Sequence, residues 1–252
     1  MESYSSAFRK VGFFQFVRNY EHPVAELRSC LIATGGTEKL KQSVIVLPEA
    51  FNIGRDYDDQ DHACDYGRSI LSVLMDLSST FQVTFIAGLV IENCVIDRLR
   101  RKRPYSSTYL IDPRRHLLMC QKLNDDRSNN YTACNEHDVI DRPVVLADTC
   151  LVALICRDCN PEKPHDIRRH QELKDSIVRG KKTHNIVCIP AHMSGGSGFG
   201  AEGIASSWPT SDVILANSHP SPNRCESFIS ISGTIVRQSI VGDGNKVVVW
   251  PD

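Results

Sequence analysis

Residues 151–162 read LVALICRDCNPE. The run begins as apolar residues of strand character and ends in Cys156, and Cys159 follows at the interval of a CxxC pair. Four uses are open to such cysteines: redox exchange, metal binding, core packing, or one nucleophile beside an unrelated neighbour. A redox pair sits at a helix N-terminus after a strand. Here Pro161 and Pro164 stand where that helix would begin and continue. A closed zinc site shows two close ligand pairs. Cys156 and Cys159 make one, and two of His165, His170 or His192 would have to complete it at a spacing that matches no closed pattern.

The rest of the composition narrows the field. The chain has 252 residues, enough for one large α/β domain, and no repeat or low-complexity linker divides it. A formal charge of −1 supplies no global attraction to nucleic acid or to anionic membranes. Runs such as TFIAGLVI and CLVALIC are too short to span a bilayer, and MESYSSAFRK carries no apolar signal segment. The expected setting is therefore cytosolic, where thiols stay reduced. Ten cysteines spread evenly along the chain then read mostly as small buried hydrophobes.

Outward from residues 151–162, strands and helices alternate. VGFFQFV and SVIVLP are apolar runs, the second of the kind buried on both faces. Between them Val24, Leu27 and Leu31 recur at helical spacing until a Gly pair. Residues 65–79 read as a helix and QVTFIAGLVI as the next strand. Five basic residues lie among the six from Arg98 to Arg103. With no aromatic platform or groove-reading motif beside them, they read as a solvated turn. SSTYLID with RHLLMCQK predicts a hairpin, as does VVLADTCLVALIC. A helix over 166–179 leads to the strands HNIVCIP, DVILANS, FISISGTIVRQS and KVVVW. The glycines from Gly195 to Gly203 lack a strand–GxGxxG–helix order and are assigned to a loop. This order predicts an α/β protein with a mixed sheet.

Three segments end in a reactive side chain: SVIVLPE at Glu49, RHLLMCQK at Lys122 and LVALIC at Cys156. Ligands of open α/β sheets bind beyond the carboxyl ends of strands. A thiol is nucleophilic as thiolate, an adjacent ammonium lowers its pKa, and a carboxylate can take its proton. The ammonium also stabilises an oxyanion on an attacked carbonyl, and the carboxylate can then activate water.

The ordered trio Glu49, Lys122, Cys156 resembles the Glu-Lys-Cys triad of the nitrilase (carbon–nitrogen hydrolase) superfamily. The motifs that carry the resemblance are VIVLPEAF, STYLIDP…CQK and ALICRDCNPE, with Asp158 and Pro161-Glu162 after the cysteine. The later segments NIVCIPAHM, VILANSHP and SFISISGTIVRQ extend it over nearly the whole chain. It implies an α/β four-layer αββα sandwich in a single domain over residues 1–252. It also implies a homodimer or higher homo-oligomer, and neither metal nor organic cofactor. The implied chemistry is hydrolysis of a small amide, a carbamoyl-amine or, less often, a nitrile. By the resemblance Cys156 attacks, Glu49 is the general base, Lys122 holds the oxyanion, and the main-chain N–H of Arg157 is a second oxyanion donor.

The chain also departs from the family. The loop after Lys122 reads KLNDDRSNNYTACNEHD and lacks the usual His-Leu-Pro-like element. Glu136 is its one candidate for a second pocket acid, with Asp125, Asp126 and Asp138 as substitutes. The Gly/Ser-rich SGGSGFGAEGIASSWP replaces an expected helix before VILAN. His192 and Ser194, directly after the strand HNIVCIP, are placed at the pocket mouth as substrate contacts, and His62 and Cys64 at its rim. The alternative reading is a catalytically silent relative that uses the fold for binding or as a scaffold.

Overall fold

The structure is a computed structural model that describes residues 8–17, 22–52, 60–96, 102–122, 141–159, 164–180, 182, 184–192, 200–219, 226–240 and 244–251. Its first half runs β1 (Lys10–Val17), α1 (Pro23–Ala33), α2 (Gly36–Leu40), β2 (Ser43–Leu47), α3 (Gln60–Phe81), β3 (Thr84–Ile96), β4 (Lys102–Asp112) and β5 (Arg115–Gln121). The second half runs β6 (Val144–Leu146), β7 (Thr149–Ala153), a 3₁₀ turn (Cys156–Cys159), α4 (Pro164–Gly180), β8 (His184–Ala191), α5 (Ala201–Ser206), β9 (Asp212–His219), β10 (Glu226–Ile231), β11 (Thr234–Ile240) and β12 (Lys246–Trp250).

The strands form two sheets. One has the order β12-β1-β2-β3-β4-β5 and the other β11-β10-β9-β8-β7-β6. They join where the end of β1 pairs with β9, Phe16 opposite Ser218 and Val17 opposite His219. Alternate side chains of a strand point to opposite faces, so a strand covered on both sides is apolar throughout. In β2, Val44 and Val46 enter the core between the sheets, while Ile45 and Leu47 enter the core beneath α1 and α3. In β8, Ile186 and Cys188 face the other sheet, and Val187 and Ile189 face Leu173 and Ile177 of α4 and Trp208 after α5. Three cores thus separate four layers, helix, sheet, sheet, helix, as the resemblance implied.

Three local readings change. α3 begins at Gln60, so His62 and Cys64, expected at the pocket rim in the segment after Glu49, belong to the first turns of a helix. Gly35 (φ +112°) and Gly36 (φ +59°) end α1 and turn the chain straight into a second short helix. The Gly/Ser-rich stretch ends in α5, where Ala201, Ile204 and Ala205 are buried over the second sheet. Three apolar positions among glycines and serines are a faint helical signal, and tertiary burial outweighs the poor propensity. Of the basic run, Lys102 and Arg103 open β4, and its other residues lie outside the described ones.

Candidate active site

β2 ends at Leu47, β5 at Gln121 and β7 at Ala153. Glu49, Lys122 and Cys156 therefore stand one to three residues beyond their strands rather than at the last strand position, which leaves the chain free to turn them inward. All three are buried: Glu49 is 0%, Lys122 2% and Cys156 7% exposed.

Each is held by its main chain. The Glu49 N–H donates to the carbonyl of Ala191 at the end of β8 (3.3 Å), which ties the first sheet to the second at this point. Ala50 follows at φ +53°, the Phe51 N–H donates to the Gly88 carbonyl (2.9 Å), and Asn52 pairs with both main-chain groups of Val90 at 2.8 Å. Gly88 is required there, because a Cβ on it would lie 2.7 Å from the Glu49 Cα and 2.8 Å from the Pro190 Cβ. The Lys122 N–H donates to the Ser106 carbonyl (2.9 Å). Cys156 opens the 3₁₀ turn at φ +48°, a strained conformation for a residue with a side chain, costing about 1–3 kcal/mol.

The side chains then meet. Lys122 Nζ donates to Glu49 Oε1 at 2.8 Å, and Ser106 Oγ donates to the same oxygen at 2.9 Å. The Cys156 thiol lies close enough to Glu49 and to the main chain of His192 for both to act on its titration, the first raising its pKa and the second lowering it. Burial, reinforced by Glu49, pushes this thiol up to about 12, against the pull of Lys122. The expectation of a thiol lowered by lysine is thus corrected: the ammonium does lower it, but burial and the carboxylate weigh more. At neutral pH the resting group is a thiol beside a carboxylate base.

Of the other residues singled out in the sequence, His192 is half-buried beside the thiol, with Nδ1 donating to the Ser218 carbonyl at 2.8 Å. Arg157 lies inside the turn, immediately after the nucleophile candidate. Glu136, Asp125, Asp126, Asp138 and Ser194 lie outside the described residues. The two cysteines of the CxxC part company. Cys156 faces the core between the sheets, and Cys159 faces the core under α4, where burial raises its thiol still further. His170 Nε2 donates to the Asp158 carbonyl (2.8 Å). Among the described residues no group of three His, Cys, Asp or Glu side chains is placed to hold a metal ion.

Sequence reasoning missed Ser106, Gly88 and Arg169. Ser106 had a signal: Ser106, Ser107 and Thr108 form a polar run between Tyr105 and Tyr109 of β4, and all three are fully buried. Arg169 had one too, since it sits four residues before Leu173 and eight before Ile177, on the inward face of α4.

No protein-family model and no curated protein matches the chain. Solved structures do. A variant of the amidase from Nesterenkonia sp. AN1, with the acetamide moiety of fluoroacetamide covalently added at its active-site cysteine, is 13% identical at a TM-score of 0.66, covering 96% of this chain and 90% of that one. A variant of that amidase in complex with acrylamide is 15% identical at 0.66, covering 98% and 92%. A third, described as from the nitrilase superfamily, is 12% identical at 0.64, covering 96% and 90%. This chain has the fold of the nitrilase superfamily.

Proposed function

We propose that the protein is a thiol hydrolase of the amidase type, cleaving the carbon–nitrogen bond of a small amide or carbamoyl-amine. One observation carries the reading: a buried carboxylate is paired with a buried ammonium at 2.8 Å and acts on a buried thiol beside them, where the two sheets meet. A buried ion pair is an expensive way to stabilise a fold, and titratable groups displaced by burial and charge cluster at functional sites. The fold shared with amidases points the same way.

The chemistry follows from the geometry. Cys156 Sγ attacks the carbonyl carbon as its proton passes to Glu49, so no free thiolate has to accumulate. The negative charge that develops on the carbonyl oxygen is met by the Lys122 ammonium and the Arg157 main-chain N–H. Glu49 returns the proton to the departing nitrogen, the C–N bond breaks, and ammonia or an amine leaves a thioester on Cys156. Glu49 then takes a proton from water, which attacks the thioester, and the acid departs as the thiol is restored. The reading includes a single domain, a cytosolic site of action and a homodimer. Ile167 and Val178, both exposed on the outer face of α4, support a covering second copy.

The test is ammonia release across simple amides, ureido acids and nitriles, with Cys156→Ala as the blank, and mass spectrometry after fluoroacetamide or acrylamide. Turnover that vanishes in C156A, with an adduct on Cys156 ahead of Cys188 and Cys120, is the expected result. A flat panel with no preference for Cys156 would overturn the reading in favour of a binding protein. Light scattering tests the dimer.

A further inference from the structure

Arg169 is buried on α4, and its guanidinium spans two segments that approach from different sheets. Nη1 donates to Asp158 Oδ2 at 2.8 Å, within the turn that begins at Cys156. Nε and Nη2 donate to Asp141 Oδ2 and Oδ1 at 2.6 and 2.7 Å, a bidentate fork. Nη2 also reaches the carbonyl of Gln121, the residue before Lys122, at 3.3 Å. Asp141 is itself stitched to β5, through a bridge to Cys120 and an Arg142 N–H bond to the Met119 carbonyl at 2.7 Å. The neighbouring His170 grips the same turn from the same helix, at the Asp158 carbonyl.

We propose that Arg169 is a positioning residue: it joins the turn that carries Cys156 to the strand end that carries Lys122, and so sets the spacing of thiol and ammonium. The inference rests on the hydrolase reading above. The need for such a tie is visible in the sheet order. β5 lies at the far edge of the first sheet and β7 near the edge of the second, so no strand pairing holds Lys122 against Cys156. The tie has to come from a side chain, and a planar fork with donors in three directions suits it where a lysine would not. Burial disfavours the charge of Arg169, but Asp158 and Asp141 more than offset it, so the clamp stays charged across the working pH range.

Arg169→Lys keeps the charge and loses the fork. Asp141→Asn, at a partly exposed position, loosens only the β5 side of the clamp. The readouts are kcat and KM on the best amide of the panel, and the pH profile of Cys156 alkylation by fluoroacetamide. The expected result for R169K is a kcat about 10- to 100-fold lower with KM within about threefold, the scale set by ångström misplacement of reacting groups. Its alkylation profile moves to higher pH, because a more distant ammonium lowers the thiol less. D141N changes both in the same direction and by less, and carries the comparison by itself if R169K does not fold. Variants that melt earlier but keep wild-type kcat and alkylation profile would overturn the positioning role and leave the hydrolase reading intact. A wild-type protein with neither turnover nor preferred alkylation of Cys156 would overturn both.

Discussion

Glu49→Gln separates two roles of one carboxylate. In the native site Glu49 accepts from Lys122 and Ser106 and faces the Cys156 thiol. Glutamine is close to isosteric but brings neither charge nor a base. On the proposed mechanism, loss of the general base lowers turnover by about 10²- to 10⁴-fold. The thiol moves the other way. Burial is the largest cause of its raised pKa and remains, but the repulsion from Glu49 disappears while the attraction of Lys122 stays. Removing a close like charge lowers a pKa by about one to three pH units, so the thiolate fraction at neutral pH rises about 10- to 1000-fold. Lys122, 2% exposed, meanwhile loses its carboxylate, a change that costs about 3–5 kcal/mol when nothing replaces the partner. In a chain of this size that is a fall in Tm of about 6–20 °C. The assay is peptide-resolved iodoacetamide labelling across pH, beside ammonia release and thermal melts. E49Q is expected to hydrolyse far more slowly and to alkylate Cys156 at lower pH. An alkylation profile that stays in place or moves to higher pH would refute this electrostatic account.

Three further outcomes follow from the same geometry. Gly88→Ala drives a methyl into the Glu49 main chain and Pro190, which costs about 1–3 kcal/mol as overpacking; thermal melts and kcat should fall together, and an unchanged kcat would mean that Glu49 tolerates displacement. Cys159→Ala, under α4 and away from the thiol face of Cys156, should leave kcat and KM within about twofold of wild type while lowering Tm by a few degrees, since it deletes one buried sulfur; a large loss of kcat would restore a joint role for the CxxC. The His184–Asp212 pair, at the starts of the parallel strands β8 and β9, holds its imidazole above the ordinary pKa, through the Asp212 hydrogen bond against burial. A raised histidine stabilises fully below its unfolded pKa of about 6.5 and loses that contribution as pH climbs through the folded value. Melts of wild type and Asp212→Asn should therefore differ most in mild acid and converge in mild alkali.

How far the residues alone reach is clearest at the strands. SVIVL and TCLVA are apolar at every position after the first, Ser43 and Thr149, and both are buried at every position, because each has a core on either face. The hairpins RHLLMCQ and TCLVA lie where alternation and turns place them. A mixed α/β sheet followed from that pattern, and the four layers were implied by the resemblance of three motifs in order. α5 was not legible, since its helix exists by virtue of the sheet it covers.

The site divides along the same line. The chain by itself singled out the side chains proposed to carry the chemistry, because a glutamate, a lysine and a cysteine each following an apolar strand are a property of local order. Pro161 and Pro164 also argued against a helix starting at the CxxC; in the structure the pair forms a 3₁₀ turn and Pro164 opens the helix that follows. Only the tertiary structure decided how those groups act on each other. Desolvation and the approach of Glu49 keep Cys156 protonated, and both depend on sheets that meet 107 residues apart in sequence. The clamp of Arg169 on Asp158, Asp141 and the Gln121 carbonyl was equally out of reach. Proximity between distant segments is set by packing, and electrostatics grows strong where packing has excluded water.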